Sequence, residues 1–533
     1  MGFPVSKDPF VAEKPKRRKR RKQRSCVAAI PSQAMFSTGA YRSAQKDRRH
    51  TQDWNPDTKS ASAATLSDLE VLRPRSADLA RNAPEAVSAV NQYKRHVVGN
   101  GLWPQSQIKN DYLQLPKKQI QELQKRAEML FRIWGEKEDC DASRVCNFPA
   151  QQAMALEGRI VRGDIFVLRR FLKRKTMPFE LCNLLVEADR VAQPSAFDDV
   201  LKSKKGRVME AGGIRFDRNG APTHYHILNE HPGDDGATKT REGDWYSAYG
   251  KTGHKLILHI FEACRPTQPR GVPLIAPAGE DTKLLNRLLE ATSVSAVVQS
   301  LFTAFIESPN GEGLDEAGDP FVQTSSSEPG DYKLGNGAIL DLREGEKVHF
   351  ADPSRPNSAI DAFANIMMRR IGMVMDIPIE VLAMQFLTSY TAARAADKRA
   401  WLTWFAYQYL LATKLCQPTW ELFWHEAVAK GYLDAPGFFT DPLARWAYCN
   451  AKWSGPVPTS IDPIKDAKAE QVLLEAKIKT LKQSVEERGG DYEQHIIQLK
   501  QEKEDLKDLQ PQQIVEAKEE PDDEEETDEE ERD

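Results

Sequence analysis

The spacing of apolar residues changes several times along the chain, and each change marks a different kind of element. Residues 1 to 64 are poor in apolar side chains and rich in Lys, Arg, Ser and Gln, which predicts an extended arm. Helical spacing begins with SADLARN at 76 to 82, breaks at Pro84, and resumes through PEAVSAVNQYKRHVVGNG until Gly99 to Gly101 end it. The segment 117 to 137 puts Ile120, Leu123, Ala127, Phe131 and Trp134 on one stripe, the mark of an amphipathic helix. FPAQQAMALEGRIVRGD reads as a third helix and IFVLRRFLKRK as a strand. From about 180 to 265 the chain is predicted to be strand-rich, with turns at Gly212-Gly213, Asn219-Gly220 and Pro232-Gly233. Within it GGIRFDRNGAPTHYHIL reads as a hairpin, because alternating residues flank the Asn-Gly turn.

Beyond Pro269 the pattern turns helical. Residues 280 to 308 are predicted as one helix whose apolar stripe is wide enough to need cover on more than one side. Residues 309 to 356 are rich in Gly, Pro and Ser, with strand-like pieces GAILDL and KVHFAD, and read as a small module inserted between two helices. The second helix is SAIDAFANIMMRRIGMVM, 358 to 375, followed by the Pro-containing DIPIEVLAMQFLTSY and one long helix from TAARAADKRA to HEAVAKG. Asp462 as N-cap and Pro463 at the first helical position start a further helix, expected to run to Arg488 before Gly489-Gly490 stop it. DYEQHIIQLKQEKEDLKDL makes the last.

Charge refines this division. The net charge of −4 on 533 residues is sorted: residues 14 to 24 carry nine basic side chains and no acid, and residues 519 to 533 carry twelve acids and one Arg. The arm segment at +9 and the tail at −11 leave a body of −2, with both ends expected to be disordered. At roughly 150 residues per domain the chain holds about three to four domains' worth of sequence. The weakly polar stretch 291 to 305 is too short and too interrupted for a bilayer span, so no membrane helix is expected. The start MGFPVSKDPF runs into the basic block with no apolar core and reads as an ordinary N-terminus rather than a secretory signal. The cysteines at 26, 140, 146, 182, 264, 416 and 449 form no C-x-x-C pair and read as reduced, mostly packed thiols in a cytosolic context.

No catalytic constellation assembles from the sequence. There is no G-x-x-x-x-G-K-[ST], no G-x-G-x-x-G after a strand and no H-E-x-x-H. Ser43 with Lys46, and Lys251-Thr252-Gly253, imitate two elements of a serine β-lactamase, but Ser43 falls in the arm and no third element lies between them. THYH places His224 and His226 on one face of a strand with His231 nearby; with no Cys or carboxylate placed beside them they read as strand residues, not metal ligands. GEGLDEAGD at 311 to 319 lacks the spacing of a calcium loop. No cofactor and no metal are expected. A nucleic-acid-binding structural protein using the basic arm, and an enzyme with an unrecognised site, remain as alternatives.

The ordered part of the chain, about 50 to 510, resembles a known family, the lambda-type portal proteins of tailed double-stranded DNA bacteriophages. Trp54-Asn55-Pro56 precedes LRPRSADLARN, which is similar to the family's R-x-R-x-x-D-L-x-R-N through Arg73, Arg75, Asp78, Leu79, Arg81 and Asn82. Ala77 stands where many members carry a further Arg. VVGNGL, VEADRV at 186 to 191, HIFEACRPTQPRGVP at 259 to 273, TSYTAARAA at 388 to 396, IDPIKDAKAE at 461 to 470 and GGDYEQHIIQLKQE follow in the family's order.

The resemblance implies an α+β, multi-domain portal fold and a dodecameric ring at one capsid vertex, through which DNA is packaged and later ejected. It also names the regions: an arm at 1–64, a wing at 65–279, stem helices at 280–308 and 357–375 and a clip at 309–356. A tunnel loop at 376–391, a long tunnel helix returning to the wing at 392–455, crown helices at 456–510 and an acidic tail at 511–533 complete them. Implied partners are further copies of the chain, double-stranded DNA, the major capsid protein, the terminase large subunit and a head-tail connector protein. The implied location is the virion, and the host cytoplasm during assembly. No catalysis is expected of the chain itself. The uncharged loop Met384, Gln385, Phe386, Leu387, Thr388, Ser389 and Tyr390 is the expected DNA-channel segment, because a channel that moves DNA must not grip it. Arg394 and Lys398, one helical turn apart, are candidate phosphate contacts, with Asp397 placed to neutralise one of them.

Overall fold

The computed structural model describes residues 49, 51, 53–194, 201–204, 207–234, 242–300, 304–307, 347–350, 360–385, 389–458, 462–490 and 492–508. The expected acidic tail, almost all of the clip, most of the arm with Ser43 and Cys26, and Phe386, Leu387 and Thr388 lie outside the described residues. The chain divides into a unit Met1–Lys59 and a unit Ser60–Asp533. In the first, the Trp54 amide donates to the Thr51 carbonyl at 3.2 Å.

The second unit opens with α1 (Ala61–Asn82), α2 (Pro84–Tyr93), β1 (Trp103–Ser106), α3 (Asn110–Leu113), α4 (Lys117–Glu136) and α5 (Phe148–Arg162). Strands follow: β2 (Ile165–Phe171), β3 (Leu181–Glu187), β4 (Leu201–Lys204), β5 (Arg207–Ala211), β6 (Ile214–Phe216), β7 (Pro222–Leu228), β8 (Gly243–Ser247) and β9 (Ile257–Ile260). Then come α6 (Gly279–Ser300), β10 (Ala304–Glu307), β11 (Lys347–Phe350), α7 (Ile360–Met375), α8 (Ile379–Leu382), α9 (Tyr390–Leu411) and α10 (Gln417–Ala429). The chain closes with α11 (Pro442–Cys449), β12 (Ala451–Ser454), α12 (Pro463–Glu475), α13 (Leu481–Glu487) and α14 (Tyr492–Asp508). This mixture of helices and antiparallel sheets is the α+β class expected.

Strand β2 explains how the middle is layered. It is the centre of an antiparallel sheet ordered β3-β2-β9, and its residues alternate between two cores. Ile165 and Val167 join the large helical core, while Phe166 and Leu168 pack with Ile214, Tyr225 and Ile227 of the five-stranded sheet β4-β5-β6-β7-β8. A strand covered on both faces carries an unbroken apolar run, and IFVL is that run. The helical core is built on α4, whose five predicted stripe residues are all buried. The Phe131 ring meets Trp420 and Phe423 of α10 edge-on, with centroids 5.0 and 5.2 Å apart. Beside it the Trp134 indole donates to the Leu181 carbonyl at 2.8 Å.

Several boundaries differ from expectation, each for a physical reason. The first helix starts at Ala61 rather than at 76 and runs through Pro74. Leu66 and Leu69 pack on Ala211, and Arg73 is buried, which offsets the hydrogen bond that Pro74 cannot donate. The helix expected over 280–308 ends at Ser300, and Ala304–Glu307 instead pair antiparallel with Lys347–Phe350. The long helix from Tyr390 to Ala429 carries a π-helical turn at Ala412–Cys416, just before Pro418, which lacks the N–H a regular turn would use. The helix expected up to Arg488 is two: Lys477 turns left-handed (φ 57), and Thr480 with Gln483 forms a capping box that starts α13. The cysteines follow the sequence reading in part: Cys140, Cys182, Cys416 and Cys449 are buried free thiols, Cys146 is half-buried and Cys264 is exposed.

Candidate functional site

The expected channel segment lies between two rigid roots. On its N-terminal side α7 ends at Met375, Asp376 turns left-handed (φ 53), and the short α8 leads to Met384, also left-handed (φ 52) and 57% exposed. Gly372 makes this reversal possible, because a β-carbon there would stand 2.6 Å from the Ile377 carbonyl oxygen. Helix α2 then holds the root: the Tyr93 hydroxyl donates to Met375 O at 2.6 Å and the Ser88 hydroxyl to Leu382 O at 2.8 Å. Burial pushes the Tyr93 phenol far above its usual range, so it stays a donor. The Thr403 hydroxyl donates to Asp376 Oδ2, tying this root to α9.

On the C-terminal side Ser389 occupies the N-cap position of α9 and is exposed, and Tyr390 begins the helix. Trp401 and Trp404 bury one face of α9, and the His96 ring stacks on Trp404 at 3.8 Å. Of the two candidate phosphate contacts, the half-buried Arg394 donates to Asp466 Oδ1 on α12 at 2.5 Å. Lys398 is exposed and has no ion pair among the described residues. Asp397, expected to neutralise one of them, forms no such pair among the described residues; partial burial raises its carboxyl, and His96 opposes that rise.

A second centre, which sequence reasoning missed as a unit, sits where α1, α5, β2 and the 259–273 segment converge. Asp164 is fully buried and accepts from Arg270 Nε at 2.6 Å, Arg270 Nη2 at 3.1 Å, Arg73 Nη2 at 3.0 Å, the Gly271 amide at 3.1 Å and His259 at 3.2 Å. Arg270 also donates to the carbonyls of Val191, Gly212 and Ala188. Burial alone would raise the Asp164 carboxyl, but Arg270 and Arg73 hold it well below the usual carboxylate range. Burial lowers the His259 imidazole to about 4, against the pull of Asp164. Burial and the neighbouring Arg270 lower Arg73 to about 10, still protonated at neutral pH. Gly271 and Gly163 let the segments meet: a β-carbon on Gly271 would lie 1.9 Å from the Gly163 carbonyl oxygen. These buried, mutually paired groups fix the junction of α1, α5, β2 and the 259–273 segment. Its sequence signal was an Asp at the end of an amphipathic helix, directly before an apolar strand.

The histidine cluster resolves differently from its strand pattern. His226 is buried and bonded through Nδ1 to the Ala192 carbonyl, whereas His231 lies beside Glu187 and Asp189, with ligand atoms within 4.8 Å of one another. Asp189 already carries Arg162 at 2.5 Å and Arg73 at 3.6 Å, and those cations oppose a metal ion there.

The profile of one family, described as phage portal protein, lambda family, matches residues 47–408. The chain belongs to this family. Portal protein B of Escherichia phage lambda is 22% identical over 472 residues, which span 84% of this chain and 86% of that protein. The portal protein of Escherichia phage N15 is 23% identical over 469 residues, with the same coverage. Among solved structures, the neck of a native gene transfer agent particle aligns at a TM-score of 0.38 and 10% identity over 78% of this chain and 93% of that one. The virion of the native gene transfer agent gives 0.38 and 11%, over 78% and 95%. A lambda-family portal protein has its role in DNA packaging, and the matched span contains both the buried charge centre and the residues flanking the expected channel segment. In this portal protein the signature Arg73 is a buried counter-ion of Asp164 and is not free to touch DNA.

Proposed function

We propose that this portal protein acts as a ring of twelve copies at one vertex of the capsid, a channel through which DNA is packaged and ejected. The family match over 47–408 is the observation that carries this reading. The exposed apolar side chains of the α6–α7 pair support it: Val294, Val297, Ile366 and Met373 are 53 to 74% exposed, a face that neighbouring copies in a ring would cover. Helices α6 and α7 form the stem, joined at one side by Arg370 to Asp281 at 2.9 Å, with the β10–β11 pair leading toward the clip. The segment Met384 to Tyr390 faces the channel as tunnel loop, Lys398 stands near its entry to α9, and α12 to α14 form the crown. The chain hydrolyses nothing; the terminase large subunit docks on the clip and drives the DNA, and a connector protein later takes its place. The major capsid protein holds the wing, so the protein resides in the virion after assembling in the host cytoplasm. Negative-stain microscopy of the purified chain tests this: hollow rings of about a dozen subunits are expected, and a uniform population of monomers or dimers refutes it.

A further inference from the structure

A cleft of about 1140 Å³ opens between α4, β1 and the face of α14 that carries Gln494, Ile497, Gln498 and Gln501, and the portal reading gives it no purpose. Lys125, Met129 and Arg132 line it from one face of α4, at the i, i+4, i+7 spacing of a helical stripe. Arg95, in the turn that follows α2, lines it too. Arg95 and Lys125 are exposed and have no ion pair among the described residues. Arg132 lies over the Trp103 ring, 5.5 Å from its centroid, and its ion pair is the exposed one with Glu136 at 3.8 Å. One acid is in the lining, Glu128, and it accepts from the Ser106 amide of β1 at 2.6 Å. The lining therefore holds three cations against one carboxylate, a site for a polyanion.

The chain carries such a polyanion next to it. Helix α14 continues from Gln501 in the lining to its end at Asp508, seven residues or about 10 Å further on. Residues 519–533 hold twelve acids and one Arg, and 509–518 join them to the helix. Ten residues reach at most about 33–36 Å, some three times the distance back to the cleft. A segment joined this closely is presented at roughly millimolar effective concentration, so a few weak, exposed ion pairs suffice to hold it. A free nucleic acid would have to match that concentration to displace it.

We propose that this cleft is the docking site of the chain's own acidic segment 519–533, whose carboxylates pair with Arg95, Lys125 and Arg132 and keep those cations from other polyanions. The docking is a property of the folded chain and does not rest on the portal reading.

The test is carbodiimide coupling of the full-length chain, which joins an amine to a carboxylate in contact with it, read by mass spectrometry. Lys125 is expected to couple to an acid of 519–533 at least about threefold more often than Lys118, which is equally exposed on α4 but outside the cleft. The product should vanish at 1 M salt, where the screening length is about 3 Å. Equal coupling at Lys125 and Lys118 overturns the proposal. Refolding isotope-labelled together with unlabelled chains identifies the donor: products joining labelled to unlabelled peptides would put a neighbouring copy's segment in the cleft and overturn it. Acetylation gives a second measurement, in which deleting 519–533 should speed modification of Lys125 at least about threefold and leave Lys118 unchanged. Equal Lys125 rates with and without the segment overturn the proposal. So does a short DNA duplex that abolishes the coupling at micromolar concentration, which would make a nucleic acid the preferred occupant.

Discussion

Replacing Asp164 by Asn removes the charge and turns one of two accepting oxygens into an NH2 that faces donors, in a fully buried carboxylate that takes five hydrogen bonds. Arg270 then remains inside with only carbonyl partners, and Arg73 keeps only the longer 3.6 Å pair with Asp189, which Arg162 shares. Breaking a buried ion pair from one side costs about 3–5 kcal/mol, because the surviving charge stays desolvated. The isolated chain, unfolding as one unit, should therefore melt roughly 3–5 °C lower. The acid dependence carries a second signature. The folded pKa of His259 is depressed to about 4 from an ordinary 6.5, so its contribution to stability is fully present above pH 6.5. It falls away as the pH drops toward 4, because the unfolded chain binds a proton that the folded one refuses; the full window is worth up to about 3 kcal/mol. Asp164, also depressed, contributes stability that is lost at still lower pH, below its ordinary value of 3.8. Thermal melts followed by circular dichroism between pH 3 and 8 should show both windows in wild type and only the histidine window in Asp164→Asn. Asp164→Asn with Arg270→Met should recover part of the loss by removing the stranded cation. A midpoint within 2 °C of wild type for Asp164→Asn, or a flat profile from pH 6.5 to 4, refutes the reasoning.

Four further outcomes are expected. Replacing Phe386 to Tyr390 with glycine should leave rings intact by microscopy but lower the yield of packaged DNA, and unchanged yield counts against a channel role for that loop. Arg394→Ala should cost under about 1 kcal/mol of stability through loss of the half-exposed Asp466 pair. Lys398→Ala should leave stability unchanged and reduce the salt slope of DNA binding by about one; equal slopes in titrations at several salt concentrations would remove Lys398 from the channel. Gly271→Ala should destabilise by at least about 3 kcal/mol or give insoluble protein, because its β-carbon meets backbone and not a movable side chain; soluble expression with a wild-type melting curve would disprove the close approach.

What could be read from the sequence follows the range of the forces involved. The α4 stripe is set by neighbours three and four residues apart, and all five of its residues are where the spacing placed them. The hairpin about Asn219-Gly220 is equally local, and Ile214 and Tyr225 pair across it. The end of α6 is not local. Apolar residues from 294 to 305 suit either state, and the strand at Ala304–Glu307 is decided by a partner 40 to 46 residues further on. The break at Lys477 was legible, since Thr480 and Gln483 have capping-box spacing, but the apolar pattern running across it was stronger. The charge centre could not have been read from spacing, because Asp164 and Arg270 are 106 positions apart and only the packing of the helix-to-strand junction joins them. The assignment of 384–390 to a channel rests on family resemblance alone; the structure shows how the residues on either side of 386–388 are anchored.

Charge pairing gives the near-neutral body a physical meaning that a count of residues does not. Arginines that the signature segments might have offered to DNA are held elsewhere: Arg73 and Arg270 by Asp164, and Arg394 by Asp466. A cation already bonded to a carboxylate releases few counterions when a phosphate passes, so it adds little to affinity and little to its salt dependence. Near the start of α9 this leaves the exposed Lys398 and Arg399 as the cations without an ion pair among the described residues. If the channel is lined from this end of α9, DNA inside it meets at most two such charges per copy and slides over an otherwise uncharged loop. Sliding DNA should then be retained through steric contact rather than through salt-sensitive bonds. With no more than about two of the ring's cations on phosphate at once, raising salt from 50 to 200 mM should change DNA escape from filled particles by less than about tenfold, where six to ten phosphate contacts would change it by a thousandfold or more. A steep salt dependence would mean that the paired arginines open toward the channel when the copies assemble.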